Sequence, residues 1–320
     1  MKTSLSFPAS TEPNLAPAGR LGAFIQTCRQ DLQTGLVVVD LTGLPSHSLL
    51  FVRGELVNVY QLGEAAVRLD ATAWVESMST GSPAAVLRSL ALTPQGVRII
   101  RILIEQWGET PCQSFSGPAI VPQFAAWLEQ PLPALVHVRW PGADALALVP
   151  GQGIPPSYTL FISPEKILHS AGSLAAIHAW QEIPISCALY SSDPPTLAWS
   201  EYLLHHAFSQ MMGSLLENFE KLTGRMVFNQ IIHDVNFSAS AHGWNMTVHI
   251  NGLNDQAVFA SPQAAASVYS LLLQSLSGHI ASVVGIEILD MLVRETVGRM
   301  PIAYRGVIKK YILNPQPNDA

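Results

Sequence analysis

Ten histidines and three cysteines are the residues in this chain best suited to hold a metal or move a proton. A helical zinc site places two histidines four apart on one face with an acid between them. No pair here does so. His205 and His206 are adjacent, which sets them about 100° apart on a helix, and His178 and Glu182 are four apart but run at once into Pro184. His242 and His249 could meet only through the register of a strand. Each histidine is therefore expected on the surface or satisfied in the core, and none is assigned as a metal ligand.

Nucleophilic and nucleotide chemistry fare no better. The chain has no Gly-x-Ser-x-Gly elbow, and Cys28, Cys112 and Cys187 are isolated. Cys187 alternates with apolar neighbours in Ile185-Ser186-Cys187-Ala188-Leu189, the pattern of a small core side chain. Gly151-Gln152-Gly153 lacks the third glycine of a dinucleotide turn and leads into Pro155-Pro156, and no Gly-Lys-Ser/Thr phosphate loop occurs. Among the acids, Asp234 and Asp255 are the pair whose proximity matters. No catalytic, cofactor-binding or metal residue is assigned, and no cofactor is expected.

Charge says more. Only 12% of residues are ionised, about half the usual share, while 48% are apolar and the net charge is −6. That excludes a disordered chain and a strongly steered nucleic-acid binder. Between Trp140 and Val293 the cations are Lys166, Lys221 and Arg225 alone, whereas Arg294, Arg299, Arg305, Lys309 and Lys310 crowd the end of the sequence against Glu295. These five are the candidate partner-binding residues, for an acidic surface or a second copy of this net-negative chain. Their bland alternative is complementing the negative ends of helix dipoles. Nucleic acid is a weaker partner, since only Tyr304 and Tyr311 interleave with them for stacking.

Three scattered cysteines give no disulfide framework, which points to a reducing, cytoplasmic setting. The opening residues lack the apolar run of a secretory signal, and 1–18 is expected to be a tail, as is 314–320. The most lipid-like segment, Ala281 to Val293, is shorter than a bilayer span and holds Glu287 and Asp290, so no transmembrane helix is expected. A surface so poor in charge is expected to expose apolar patches that meet proteins, including other copies of itself.

Proline-rich joints near Pro111–Pro118 and at Pro194-Pro195 divide the chain into modules at 19–110, 118–192 and 198–313, with no internal repeat evident. In the first, a helix is expected over Leu21 to Gln30, then a strand Leu36–Val39 and a hairpin of Ser48–Val52 with Glu55–Tyr60 around Arg53-Gly54. Ser82-Pro83 and Thr93-Pro94 each announce a helix, the second with a stripe of Val97, Ile100, Ile104 and Trp107. In the middle module, a short helix around Phe124, Trp127 and Leu128 precedes strands Ala134–Trp140 and Ala143–Val149 about Pro141-Gly142. Tyr158–Ile162 and Ile185–Tyr190 are further strands, with a helix near Ser173–Trp180.

The third module reads as helix, helix, hairpin, helix, helix. Leu204, Phe208, Met211, Leu215, Phe219 and Leu222 mark a helix stopped by Gly224, and Val227, Ile231 and Val235 mark the next. Trp244 to Ile250 alternates as a strand, Asn251-Gly252 is its turn and Asp255–Ala260 its partner. Ser261-Pro262 opens a helix carrying Val268, Leu272, Leu276 and Ile280, and Ile288, Leu292 and Val293 lie on the last. The fold class is α+β, small mainly antiparallel sheets packed by helices.

One stretch resembles a known family. Gln33-Thr34-Gly35-Leu36-Val37-Val38, followed by Leu49-Leu50-Phe51-Val52-Arg53-Gly54-Glu55-Leu56-Val57-Asn58-Val59, is similar to the PATAN-type domain of bacterial response regulators over about residues 21–92. Asn58 and Val59 depart from it, standing where the family has small residues. The resemblance implies non-enzymatic regulatory or scaffold work in signalling, through protein contacts. From the residues alone, Gly35 and Gly54 are expected to serve the backbone and not a phosphate. A ligand sensor with a pocket between the middle and last modules, or an enzyme assembling residues from separate modules, are the competing readings.

Overall fold

Strands apolar at nearly every position imply sheets covered on both faces. A computed structural model describes residues 14–16, 21–79, 85–106, 113–116, 122–123, 126–127, 129–140, 142–149, 158–163, 167–169, 184–193, 195–249 and 252–314. The protein is α+β, and the chain forms two compact units, Met1–Thr196 and Leu197–Ala320.

The first unit holds two six-stranded antiparallel sheets. Its elements begin with β1 (Asn14–Ala16), α1 (Leu21–Gln30), β2 (Gly35–Leu41), β3 (His47–Val52), β4 (Glu55–Leu62), β5 (Ala66–Leu69), α2 (Ala71–Ser79), β6 (Ala85–Ala91) and α3 (Pro94–Glu105). The strand order is β1-β6-β2-β3-β4-β5. Val37, Val39, Leu49, Phe51 and Val59 meet Leu21, Ile25 and Cys28 of α1 and Trp74 of α2 on one face. Tyr60 follows Val59 and so faces the other way, where its hydroxyl donates to Glu105 Oε1 of α3 at 2.6 Å. Helix α3 is buried at every residue from Gly96 to Ile104, including Arg98 and Arg101, and Thr93 caps it by accepting from the Gly96 N–H. Trp107, the end of the expected stripe, lies outside the described residues.

The second sheet comprises β7 (Gln113–Ser116), β8 (Ala134–Trp140), β9 (Ala143–Val149), β10 (Tyr158–Ile162), β11 (Ile167–His169) and β12 (Pro184–Ser191), in the order β11-β10-β9-β8-β12-β7. Helix α3 also touches β8, and Gln106 Nε2 donates to the Ser191 carbonyl at 2.8 Å, so α3 is shared by the two sheets. The expected helix at Ser173–Trp180 lies outside the described residues, as does most of the one at Phe124–Leu128.

The two sheets repeat one topology. Each is a four-stranded meander, β2–β5 or β8–β11, whose first strand pairs with a late strand, β6 or β12, which in turn pairs with an early one, β1 or β7. β1, β2 and β6 begin at Asn14, Gly35 and Ala85, and their counterparts at Gln113, Ala134 and Pro184, 99 residues on in each case. At that offset Leu36-Val37 matches Leu135-Val136, Val39 matches Val138, and Gly43 (φ +78°) matches Gly142 (φ +79°). The Leu92 N–H donates to the Thr34 carbonyl where the Ser192 N–H donates to that of Pro133. The repeat escaped the sequence because it lies in a buried apolar pattern common to many strands, while Val38 and Asp40 are replaced by His137 and Arg139.

Two expectations for this unit are corrected. Ser82-Pro83 leads into strand β6 and not into a helix, because Ala85–Ala91 hydrogen-bonds β2 on one side and β1 on the other, which outweighs a local capping signal. The 1–18 segment includes β1, an edge strand of the same sheet.

The family-like motif closes on itself. In the β3–β4 turn, Arg53 and Gly54 both have positive φ, +50° and +83°. The Gly54 N–H donates to the Gln33 carbonyl and the Arg53 N–H to Thr34 Oγ1, both at 2.8 Å. A Cβ on Gly54 would sit 2.6 Å from the Arg29 carbonyl oxygen, and one on Gly35 2.0 Å from that of Leu90. Both glycines thus serve backbone approach.

The second unit comprises α4 (Leu197–Thr223), α5 (Arg225–Ala241), the hairpin β13 (Met246–His249) with β14 (Gly252–Asp255), α6 (Pro262–Val284), α7 (Ile286–Arg299) and α8 (Ile302–Ile308), which runs on as one π turn (Lys309–Leu313). Helix α4 is the axis. Its Leu204, Phe208, Met211, Leu215 and Phe219 are buried against Phe228, Val235, Tyr269, Leu272, Leu276, Leu289 and Ile308. Ser261 caps α6 by accepting from the Ala264 N–H.

Some details differ from expectation here. Leu222 is 57% exposed; on α5 Ile231 and Val235 are buried as expected but Phe228 is buried where Val227 is exposed, and on α7 Leu292 is buried as expected but Leu289 is buried where Ile288 is exposed. The hairpin's partner strand starts at Gly252, which pairs with His249, and ends at Asp255. Gly252 is therefore a strand residue, and its would-be Cβ lies 3.4 Å from the Gly213 Cα of α4.

Two predictions follow from these contacts. Gly54→Ala should cost about 1–3 kcal/mol, the scale for strain at a positive-φ position, read as a lower urea midpoint with unchanged slope. His47 is buried against Trp74, ring centroids 5.4 Å apart, and burial holds its pKa below the ordinary 6.5, partly offset by a hydrogen bond with the Pro45 backbone. As pH falls through 6.5 the unfolded chain takes up this proton before the folded one, so stability should fall. Burial acts on His169 in the same direction. His47→Gln should flatten the decline measured between about pH 7 and pH 5.

Candidate functional site

Among the described residues, buried Asp144 in the first unit and buried Asp255 in the second each gather ionisable groups around them. In the first unit Asp144 of β9 pairs with Arg139 of β8 across the sheet. Asp144 Oδ1 receives Arg139 Nε at 3.1 Å and lies 2.7 Å from His137 Nε2. Alternation places His137 and Arg139 on one face of β8, opposite Val136 and Val138. The matching strand of the first sheet carries the inverse pair, Asp40 with Arg88 Nη2 at 2.5 Å. The Asp40–Arg88 pair spans β2 and β6 and is part-exposed, while the Arg139–Asp144 pair spans β8 and β9, where the guanidinium balances a carboxylate that burial would otherwise penalise.

In the second unit the centre is Asp255, at the end of β14. Its Oδ1 accepts the Ala257 N–H at 2.8 Å, while Oδ2 accepts the Tyr269 hydroxyl at 2.5 Å and lies 2.9 Å from His205 Nδ1. The local fold explains each placement. Asp255 reaches forward two residues in an Asx-type turn that ends the hairpin, His205 projects from α4, and Tyr269 from α6. Phe208 stacks on the Tyr269 ring at 4.3 Å, and Glu201, also buried, accepts the Phe259 N–H at 3.4 Å. A carboxylate with three converging donors is well compensated.

What this arrangement can do chemically is limited by access. An imidazole nitrogen held by a carboxylate is an arrangement a general base uses. Yet the open groove on this unit, about 600 Å³, is lined by His206 and not His205. Its other polar groups are Ser209, Gln210, Ser214 and Glu217 along α4 and Tyr304 of α8, whose hydroxyl burial pushes up in pKa. His206 and Glu217 are eleven residues apart on one helix, about 16 Å of rise, so they do not converge on one bond. The His205–Asp255–Tyr269 cluster is a junction that ties α4, the hairpin and α6 together.

The residues singled out from sequence fall as follows. Asp234 is on α5, where Gln230 Nε2 donates to it at 3.0 Å, while Asp255 keeps the partners described above, so the two acids belong to separate sets. His242 bonds the Ser238 carbonyl at the end of α5, and His249 is exposed on β13. Among the described residues no group of three His, Cys, Asp or Glu could hold a metal. Cys28 and Cys187 are buried, and burial beside Asp31 pushes the Cys28 thiol up to about 11. Cys112, His178, Glu182 and Gly151–Gly153 lie outside the described residues.

The C-terminal cations divide. Arg299 pairs with Glu295 within α7, Arg294 Nε donates to the Asp290 carbonyl at 3.2 Å, and Arg305 Nη2 donates to the carbonyls of Gly298 and Met300 at 2.7 and 3.0 Å. Arg305 thereby neutralises the carbonyl end of α7. Lys309 and Lys310 are exposed, with Lys310 Nζ 4.9 Å from the centre of the Tyr311 ring. No described helix is a clear membrane span. Helix α6 has the length, and an 18-residue window of it reaches a mean hydropathy of 1.2 with 22% of it buried; one stripe, Tyr269, Leu272, Leu276 and Ile280, packs into the helical core.

Comparison with protein-family models, with curated proteins and with solved structures gives no match.

The buried clusters were missed because His205, Asp255 and Tyr269 are 50 and 14 residues apart. The one signal available was an acid closing a hairpin in a stretch that then runs to Glu287 without another ionised side chain. Asp255→Ala should cost about 3–5 kcal/mol in chemical denaturation, since it strands the imidazole, the phenol and the Ala257 N–H together. Tyr269→Phe removes one donor and should cost about 1–2 kcal/mol.

Proposed function

We propose that this is a non-enzymatic regulatory or scaffold protein that acts through protein contacts, self-association among them, in a signalling role within the cytoplasm. The observation that carries this reading is the exposed apolar surface of the helical unit. Met226 and Phe237 are 83% and 73% exposed and eleven residues apart on α5, three helical turns, so they share one face. Ile286 and Met291 of α7 and Ile302 of α8 are exposed as well. Large apolar side chains left in water at this density are what partner surfaces offer.

The chemistry is consistent with it. Buried Asp144 is spent on His137 and Arg139, and buried Asp255 on His205 and Tyr269, while the groove on α4 holds no convergent pair. The PATAN-like stretch supports the same class of work, since Gln33, Thr34, Arg53 and Gly54 form a backbone clasp with no group aimed at a substrate. The polar groove supports a second reading, a sensor of a small hydrogen-bonding ligand held between Gln210, Ser214 and Tyr304. In either case the exposed Lys309 and Lys310 offer positive charge to an acidic partner, while Arg294, Arg299 and Arg305 make contacts within the chain.

Affinity capture from the native extract tests the reading. Wild type should retain a defined protein partner, and Met226→Glu with Phe237→Glu should lose it while keeping the same circular dichroism and melting temperature. Lys309→Gln with Lys310→Gln should flatten the salt dependence of that association. Capture that is indifferent to all four changes counts against this function.

A further inference from the structure

Helix α4 is the axis of its unit, yet one strip of it stays out of the core. His206, Ser209, Gln210, Gly213, Ser214 and Glu217, at alternating spacings of three and one, form the floor of the groove of about 600 Å³. Tyr304 of α8, packed against the core, forms a wall.

Three polar groups of this groove are not engaged by the protein. Ser209 Oγ donates to the Leu253 carbonyl at 3.2 Å, and Ser267 and Ser282 of α6 donate to carbonyls of their own helix. By contrast, among the described residues nothing hydrogen-bonds the Gln210 amide, the Ser214 hydroxyl or the Tyr304 hydroxyl. Burial holds the Tyr304 pKa above its ordinary value, so it remains a neutral phenol able to donate and to accept.

Charge narrows what could fill the space. No Lys or Arg lines the groove, which disfavours an anion. Glu217 already holds Lys221 Nζ at 2.6 Å, which leaves no bare carboxylate for an amine. A neutral hydrogen-bonding molecule is the remaining class.

Spacing narrows it further. His206, Gln210, Ser214 and Glu217 set out one polar group per helical turn, a repeat of about 5.4 Å over about 16 Å. An extended peptide repeats one face about every 6.8 Å and falls out of step within that length. A nucleoside is too short to reach from end to end. A linear 1,4-linked glycan repeats once per ring at close to the helical pitch, and its hydroxyls suit an amide, an alcohol and a phenol alike.

We propose that this groove binds a neutral linear glycan of about three sugar units, one to each turn of α4. The proposal rests on the sensor reading above and names the ligand class. Gln210 bonds hydroxyls of the central ring, Ser214 those of the next, and Tyr304 donates from the wall. Gly213 leaves the floor without a side chain at mid-length, where the central ring sits. Because the floor is a helix held by its buried faces, the site is formed before the ligand arrives.

Titration calorimetry and saturation-transfer NMR on the full chain test this, with maltotriose and cellotriose as the glycans and adenosine and acetylated triglycine amide as neutral alternatives. A trisaccharide should bind, and glucose should bind about tenfold or more weakly than it, since one ring meets one turn. Gln210→Ala, Ser214→Ala and Tyr304→Phe should each weaken the trisaccharide about three- to tenfold with an unchanged melting temperature. Lys309→Gln with Lys310→Gln should leave it unaltered. Trisaccharide binding that is indifferent to all three groove changes overturns this site. Binding of adenosine or the peptide alone, lost in Tyr304→Phe, overturns the glycan and keeps the sensor reading, while binding of none of these molecules overturns both.

Discussion

Scarcity of charge governs how this protein is built. With 12% of its side chains ionised, each charge taken into the interior needs a partner within reach, because an uncompensated buried ion costs several kcal/mol. Asp144 meets Arg139 and His137, Arg101 meets Glu105, and Asp255 draws on an imidazole, a phenol and a backbone N–H. These pairings fix strand register and helix contacts. What remains for the exterior is too little to coat it, so long helical faces meet water through Ser, Gln, Ala and bare hydrocarbon.

The same constraint separates the two units in character. The first uses its apolar residues on both faces of two sheets, with α3 buried between contacts to each, and among its described residues the exposed large apolar groups are Leu32, Leu44, Val67 and Leu168. The second wraps helices around α4, which is buried along most of its length, and the outer helices each set one face into the core.

Duplication shows how a binding or catalytic look can arise from structural need. Leu36, Val37 and Val39 return as Leu135, Val136 and Val138 because both sheets bury the same face, while Asp40 and Arg139 exchange sign at one position and each finds its opposite on a neighbouring strand. His137, in the second copy alone, adds an imidazole to that pair. A histidine beside an aspartate, taken without its setting, would suggest acid–base work. Here both are buried within the sheet.

Local physics was legible in the residues themselves. The bounds of α1, β8, β9 and β10, the caps at Thr93 and Ser261, and the Arg53-Gly54 turn follow from periodicity, capping hydroxyls and glycine, which act over a few residues. The α+β class follows from them. Tertiary structure alone decided the rest: that Ala85–Ala91 is a strand, that two sheets share a topology 99 residues apart, and that His205, Asp255 and Tyr269 meet. Each depends on pairing between segments far apart in the chain, where energy comes from matching a partner and not from any preference of the segment itself.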